Sequence, residues 1–180
     1  MNKITSIALA ASVLLATGTA SYAHHSFSMF DSSQEVVVEG TVVRWAFTSP
    51  HSFMMIEDAD GQVWAFEGSA PPALLGQTPP MTGNTFKVGD EITVIQCPLR
   101  DGRPGGAAGL IIAADGTVYI PADGGCRGAS QRMDVWPEWI AAGYKSKAEA
   151  EAATGVAEEP AEEAEEAEEP AEAGDEAAAE

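Results

Sequence analysis

The chain has 180 residues, with 9 Lys+Arg against 28 Asp+Glu and a formal net charge of −19. A length of this order holds one domain, two at most, and the acidic balance excludes a nucleic-acid footprint, because phosphate binding needs Lys and Arg to displace counterions. No further apolar run of about 20 residues follows the N-terminus, which excludes a chain that crosses a bilayer repeatedly.

Residues 1–23 read as a secretory leader (signal peptide). Lys3 supplies the positive start, and Ile7–Ala16 (IALAASVLLA) is an apolar run of ten, too short to span a bilayer. Ser21-Tyr22-Ala23 offers a small-x-small cleavage site that makes His24 the new N-terminus. Gly18-Thr19-Ala20 is a second site, which leaves Ser21 first. The first cysteine is Cys97, so none stands at the cut to carry a lipid. The expectation is a mature chain without a transmembrane segment, periplasmic or secreted, in an oxidising setting. Residues 24–34 form an N-terminal arm anchored by Phe27 and Phe30. A turn at Asp31-Ser-Ser-Gln34 is expected to fold it back along the first strand.

Residues 35–121 carry the period-2 patterning of strands. Glu35–Phe47 (EVVVEGTVVRWAF) is long and β-branched, with Gly40 as a bulge or bend. Ser49-Pro50 breaks it. His51–Asp58 is a second strand, Asp60-Gly61 a turn, and Gln62–Glu67 a third strand. Ser69–Gly76 reads as a short helix, with Ser69 near its start and Gly76 at its end. Glu91–Leu99 is a fourth strand, Asp101–Gly106 a hairpin turn, Ala107–Ala113 a fifth strand and Thr117–Ile120 a short sixth. Three strands, a helix, then two or three strands is the order of the oligonucleotide/oligosaccharide-binding (OB) barrel. An SH3-like barrel or an open meander shares most of the pattern. The predicted class is mainly β: a small OB-like antiparallel barrel of five to six strands with one short helix, plus a disordered acidic tail.

Residues 122–147 read as a linker with a short helix packing on the barrel, in which the amphipathic stretch Met133–Tyr144 lays down Trp136, Trp139 and Ile140. Residues 148–180 are Ala/Glu/Pro low complexity, with 14 Asp+Glu and no Lys or Arg. Removing those fourteen charges takes −19 to −5, and losing Lys3 with the leader takes residues 24–147 to −6. Glutamates at helical spacing repel, Pro160 and Pro170 interrupt any helix, and almost nothing larger than Ala can be buried, so this segment is expected to be a solvated spacer. Cys97 and Cys126 in an exported chain favour a disulfide, which closes a loop of about 30 residues and is worth roughly 3.5 kcal/mol by chain entropy. Free thiols or a thiol metal site are the alternatives. A lone pair at this spacing does not resemble a zinc framework.

The three histidines are His24, His25 and His51. A terminal histidine offers an amine and an imidazole nitrogen on one residue. With a second imidazole it gives the tetragonal nitrogen set that suits Cu(II), a histidine brace. The brace requires cleavage immediately before His24, and the α-amino group must lose its proton to bind. His51 stands at the entry to the second strand, on a barrel rim. With the arm folded back along the first strand, His24 and His51 are roughly 15 Å apart at about 3.3 Å per residue. A bend at Gly40, or an arm that crosses the barrel instead, closes that gap. Met29 is a candidate soft ligand for Cu(I), and equally a packing methionine. Trp45, Trp64 and Phe66 are the candidate face for a periplasmic protein or a small envelope ligand. No nucleophile elbow, phosphate loop or calcium loop is present, so no catalytic residue is nominated. Three arginines, Arg44, Arg100 and Arg103, are too few for a nucleic-acid groove.

His24-His-Ser-Phe-Ser-Met-Phe-Asp31, Glu39-Gly-Thr-Val42, Ser49-Pro-His-Ser52, Gly89-Asp90 and Arg100-Asp-Gly102 resemble a family of small exported bacterial proteins of unknown function. Their mature chains begin His-His-Ser-Phe and carry Asn-Pro-His-Ser and Pro-x-Arg-Asp-Gly segments. Ser49 stands where that family has Asn. The resemblance covers about residues 24–120. It implies an OB-like barrel and a periplasmic location, and supplies no activity. Two expectations follow: a non-enzymatic binding protein taking copper through His24, His25 and His51, or a metal-free interaction module.

Overall fold

A computed structural model of the chain describes residues 27–155. Six strands are formed: β1 (Val36–Ala46), β2 (Ser52–Glu57), β3 (Val63–Gly68), β4 (Glu91–Pro98), β5 (Gly105–Ala113) and β6 (Val118–Tyr119). Their order across the sheet is β3-β2-β1-β4-β5-β6, and a further pairing of β3 with β5 closes the first five into a barrel. Each predicted strand is present with its ends within two residues of expectation.

β1 is long because it serves two neighbours. Residues up to Thr41 pair with β4, and those from Thr41 onward pair with β2. The strand crosses from one to the other at Gly40, where a Cβ would lie 2.5 Å from the Glu57 carbonyl oxygen. A register shift follows between Val42 and Arg44. The expected small barrel is formed, and the pair that closes it runs parallel, Ala65 opposite Gly105 and Glu67 opposite Ala107. Hairpins impose antiparallel neighbours, but this pair is joined through β4 and is free of that constraint. The approach is tight. Gly105 has a φ of 140°, and a Cβ there would sit 2.1 Å from the Ala65 carbonyl oxygen, so only glycine fits.

Alternation along the strands fills the barrel with Val38, Val42, Met54, Ile56, Phe66, Val94 and Ile111, capped by Leu74, Met81 and Phe86. The short helix α1 (Pro71–Leu75) supplies Leu74. Its N-cap is Ala70 with no side-chain bond, and Gly76 ends it in a right-handed conformation. Ser69 does not cap it, because its hydroxyl donates to the carbonyl of Ala122 at 2.9 Å instead.

The arm departs from expectation. At the start of β1 one edge pairs with β4 and the other meets residues 145–147, where Val36 bridges Ser146, Val37 N–H donates to Lys145 O at 2.9 Å and Lys147 N–H to Glu35 O at 2.9 Å. The turn at Asp31–Gln34 loops outward, with Gln34 N–H donating to the Asp31 carbonyl at 3.1 Å, and the preceding residues lie against the end of β4. Phe30 pairs with Leu99, Asp31 N–H donates to Pro98 O at 2.8 Å, and Arg100 N–H donates to Met29 O at 2.9 Å. Phe27–Met29 is one turn of 3-10 helix, η1.

After the barrel come a second 3-10 turn η2 (Gly124–Cys126), α2 (Arg127–Gln131), α3 (Trp136–Ala141), which lies in the linker where a short helix was expected, and α4 (Lys147–Thr154). They cover the outer side of β4 and β5, where Ile95, Cys97, Leu110, Ala129, Trp136 and Trp139 form a second buried cluster with Phe30. The predicted packing of Trp136, Trp139 and Ile140 is therefore observed. Cys97 and Cys126 form a disulfide. Residues 148–154, placed in the solvated tail by sequence, belong to α4 instead. Ser146 caps it by accepting from Glu149 N–H, and Ala150 is buried. The rest of the acidic tail, from residue 156, lies outside the described residues, as does the leader. Among the described residues no helix is long and apolar enough to cross a membrane.

Candidate functional site

His51 immediately precedes β2 at one end of the barrel. In the β2–β3 register Ser52 faces Gly68 and Phe53 faces Glu67, which makes Glu67 the diagonal neighbour of His51. The third member comes from the segment after β6. Ser69 N–H donates to Pro121 O at 2.8 Å and Ser69 Oγ to Ala122 O at 2.9 Å, so the end of β3 holds this segment in place. Asp123 follows at once and caps η2, its Oδ1 accepting from Gly125 N–H at 2.9 Å.

The three side chains converge. His51 Nδ1 lies 3.1 Å from Glu67 Oε1 and 3.5 Å from Asp123 Oδ2, and the residues are 16, 20 and 13% exposed respectively. One potential ligand atom from each falls within 4.8 Å of the others. Asp123 Oδ2 is buried and accepts no hydrogen bond among the described residues. Two donors bound to one ion at about 2.0–2.1 Å stand about 2.9–3.4 Å apart at right-angled to tetrahedral geometry. The spacings around His51 Nδ1 are of that size. Two carboxylates drawn together and partly out of water are stabilised by positive charge between them, either a proton on the imidazole or a cation.

The other predicted site residues fall elsewhere. Phe66 is fully buried in the barrel. Trp45 and Trp64 pack half-buried against the same core. The indole N–H of Trp45 donates to Thr82 O at 2.8 Å, and that of Trp64 to Asp58 Oδ2 at 2.7 Å. These three therefore form no outer binding face. Strand parity explains it: on β3 the outward residues are Val63, Ala65 and Glu67, not Trp64 and Phe66. Met29 is 47% exposed on η1. His24 and His25 lie outside the described residues. Sequence reasoning missed Glu67 and Asp123. Counting the hairpin register from Asp60-Gly61 places Glu67 beside His51. Nothing local to Asp123 points to the site, because its place depends on how residues 121–126 return across the barrel end.

The chain belongs to a family of unknown function, DUF6152, which matches residues 11–108. The resemblance drawn from the short motifs is borne out at the level of that family. The matched span takes in His24, His25, His51 and Glu67 and ends before Asp123 and Cys126. No curated protein and no solved structure matches the chain.

Proposed function

We propose that this is an exported, non-enzymatic binding protein, periplasmic or secreted, that holds one Cu(II) ion at the end of the barrel. His51, Glu67 and Asp123 are the ligands from the folded body. His24, with His25, supplies the amine and imidazole of the processed N-terminus. The observation that carries the reading is a single imidazole nitrogen at 3.1 and 3.5 Å from two carboxylates. A mixed nitrogen and oxygen set suits Cu(II), which also stands above the other first-row divalent ions in intrinsic affinity. The arm supports the participation of His24. The Phe27 ring lies on Gly124, next to Asp123, since a Cβ built on Gly124 would meet that ring at 2.3 Å. From Phe27, the three residues back to His24 reach at most about 10 Å.

The test is Cu(II) titration followed by EPR on protein beginning at His24. One tight equivalent with nitrogen couplings is expected. His51→Ala, or one extra residue ahead of His24, each lowers the affinity and changes the spectrum. No tight copper, or binding untouched by both changes, overturns the proposal in favour of the metal-free module. In that case a periplasmic pull-down becomes the informative experiment.

A further inference from the structure

This inference rests on the metal reading above and concerns its regulation. We propose that the Cys97–Cys126 disulfide is a redox gate: the metal site is complete only in the oxidised chain.

The site divides into a part that the barrel builds and a part that the disulfide holds. His51 and Glu67 sit on the β2–β3 hairpin, whose register needs nothing beyond the barrel. Asp123 sits on η2, which ends at Cys126. The arm lies on the other half of the bridge. Directly after Cys97, Pro98, Leu99 and Arg100 take up Asp31, Phe30 and Met29 through backbone pairing. The two halves then meet face to face. Phe27 rests on Gly124, while Phe30 and Ala107 press on Gly125 so closely that a Cβ there would meet them at 2.8 and 2.7 Å. One covalent bond therefore joins the segment that presents Asp123 to the strand end that seats the arm.

Both sulfurs are fully buried, among Ala107, Leu110 and Ala129. η2 is one turn long, and its internal cap is a single hydrogen bond from Gly125 N–H. Without the bridge, the Ser69 bonds to Pro121 O and Ala122 O still hold the start of the segment, but the glycine-rich turn from Asp123 to Cys126 keeps its position only by its own cap and by side-chain packing, and Gly is the residue whose conformational freedom is costliest to restrict. Oxidation removes two electrons and two protons from the thiols and passes them to a protein or small-molecule disulfide, which leaves as its dithiol; reduction reverses this. Before oxidation the chain offers His51 and Glu67 as a partial site. After oxidation it adds Asp123 and a fixed arm. Metal is then taken up where disulfides form and not where the chain is made.

The probe is Zn(II), which has no redox chemistry of its own and leaves thiols unoxidised. Its affinity is measured for the oxidised protein and for a Cys97→Ser/Cys126→Ser variant whose folding is checked by near-ultraviolet circular dichroism. The expected loss is about 10- to 100-fold, the usual range for coupled sites. By the same coupling, saturating Zn(II) slows reduction of the wild-type disulfide by a phosphine severalfold. Equal affinity in a folded variant overturns the gate. Where the variant does not fold, an unchanged reduction rate at saturating Zn(II) overturns it. Failure of the oxidised protein to bind either Zn(II) or Cu(II) is a different result, and removes the metal reading itself.

Discussion

Two carboxylate clusters in this molecule are built on opposite terms. On the outer side of β4 and β5, Glu35 is 1% exposed and every oxygen is occupied. Arg132 Nη2 engages Oε1, while Oε2 accepts from Arg132 Nε at 3.2 Å and Trp136 Nε1 at 2.9 Å. At the barrel end, Glu67 and Asp123 share one imidazole, and the buried Oδ2 of Asp123 faces it at 3.5 Å, longer than the bonds that hold Glu35. A saturated buried carboxylate fixes structure, because each lone pair is committed. An undersupplied pair in a half-open place retains the capacity to take up a cation. The same residue types thus serve different ends, and the number of donors around them separates the two.

The contrast is broken most directly from the saturated side. Arg132→Ala leaves Glu35 buried without its counter-ion, and the expected loss is about 3–5 kcal/mol in urea unfolding. Metal affinity, measured on the fraction that remains folded, is unchanged. Gly128→Ala is a milder form of the same insult. Its Cβ would stand 2.7 Å from Arg132 Nη2 and 2.9 Å from Glu35 Oε1, so about 1–3 kcal/mol is expected from overpacking. A loss below about 0.5 kcal/mol for Arg132→Ala would mean that the outer cluster is not the fixed point described here.

Removing members of the undersupplied cluster should do the reverse. Asp123→Asn and Glu67→Gln each weaken Cu(II) binding by at least about tenfold, while stability moves by no more than about 1 kcal/mol. The groups are partly solvated, and each substitution relieves like-charge repulsion. A stability loss as large as that of Arg132→Ala would make the cluster structural and erase the distinction.

How much of this could be read from the sequence follows the same division. The barrel is legible because local chemistry decides it. Alternation in Glu35–Phe47, the Asp60-Gly61 turn and the glycines of 102–109 place each strand, and an oxidising setting anticipates the Cys97–Cys126 bridge. A closed barrel was expected from the order of strands and helix, but no local signal gives the parallel sense of the β3–β5 pair that closes it. His51 stood out as a lone internal histidine at a strand entry. Its partners did not, since Glu67 emerges only from hairpin register and Asp123 only from the return of a segment after β6. The Glu35–Arg132 pair spans 97 residues and has no signature in either neighbourhood. The arm was misdirected for a physical reason: the edge of β1 opposite β4 is met at its start by residues 145–147, a contact distant in sequence that no local signal announces. His24 and His25 lie outside the described residues, so the brace stays a proposal on chain reach.

The smallest expected effect tests whether a half-buried carboxylate at a turn can also be committed. Asp58 caps the β2–β3 turn, its Oδ1 accepting from Asp60 and Gln62 N–H at 3.0 and 2.9 Å. The Trp64 indole N–H, followed by the backbone N–H groups of Gln62 and Asp60, holds this carboxyl below its ordinary value of 3.8. The folded chain therefore binds the Asp58 proton less readily than the unfolded chain does. Its contribution to stability is complete above the unfolded value and declines as pH falls through the lower folded value. As pH falls below about 4 the wild-type protein should lose stability and show a change in Trp64 fluorescence. Asp58→Asn should flatten that portion of the acid limb, leaving the share due to Asp31, Asp101 and Asp115, which their own turn bonds hold low in the same direction. If the acid limb of Asp58→Asn superimposes on that of wild type, the turn is held by its backbone alone. Donor saturation would then mark a structural carboxylate only where the group is buried, as Glu35 is.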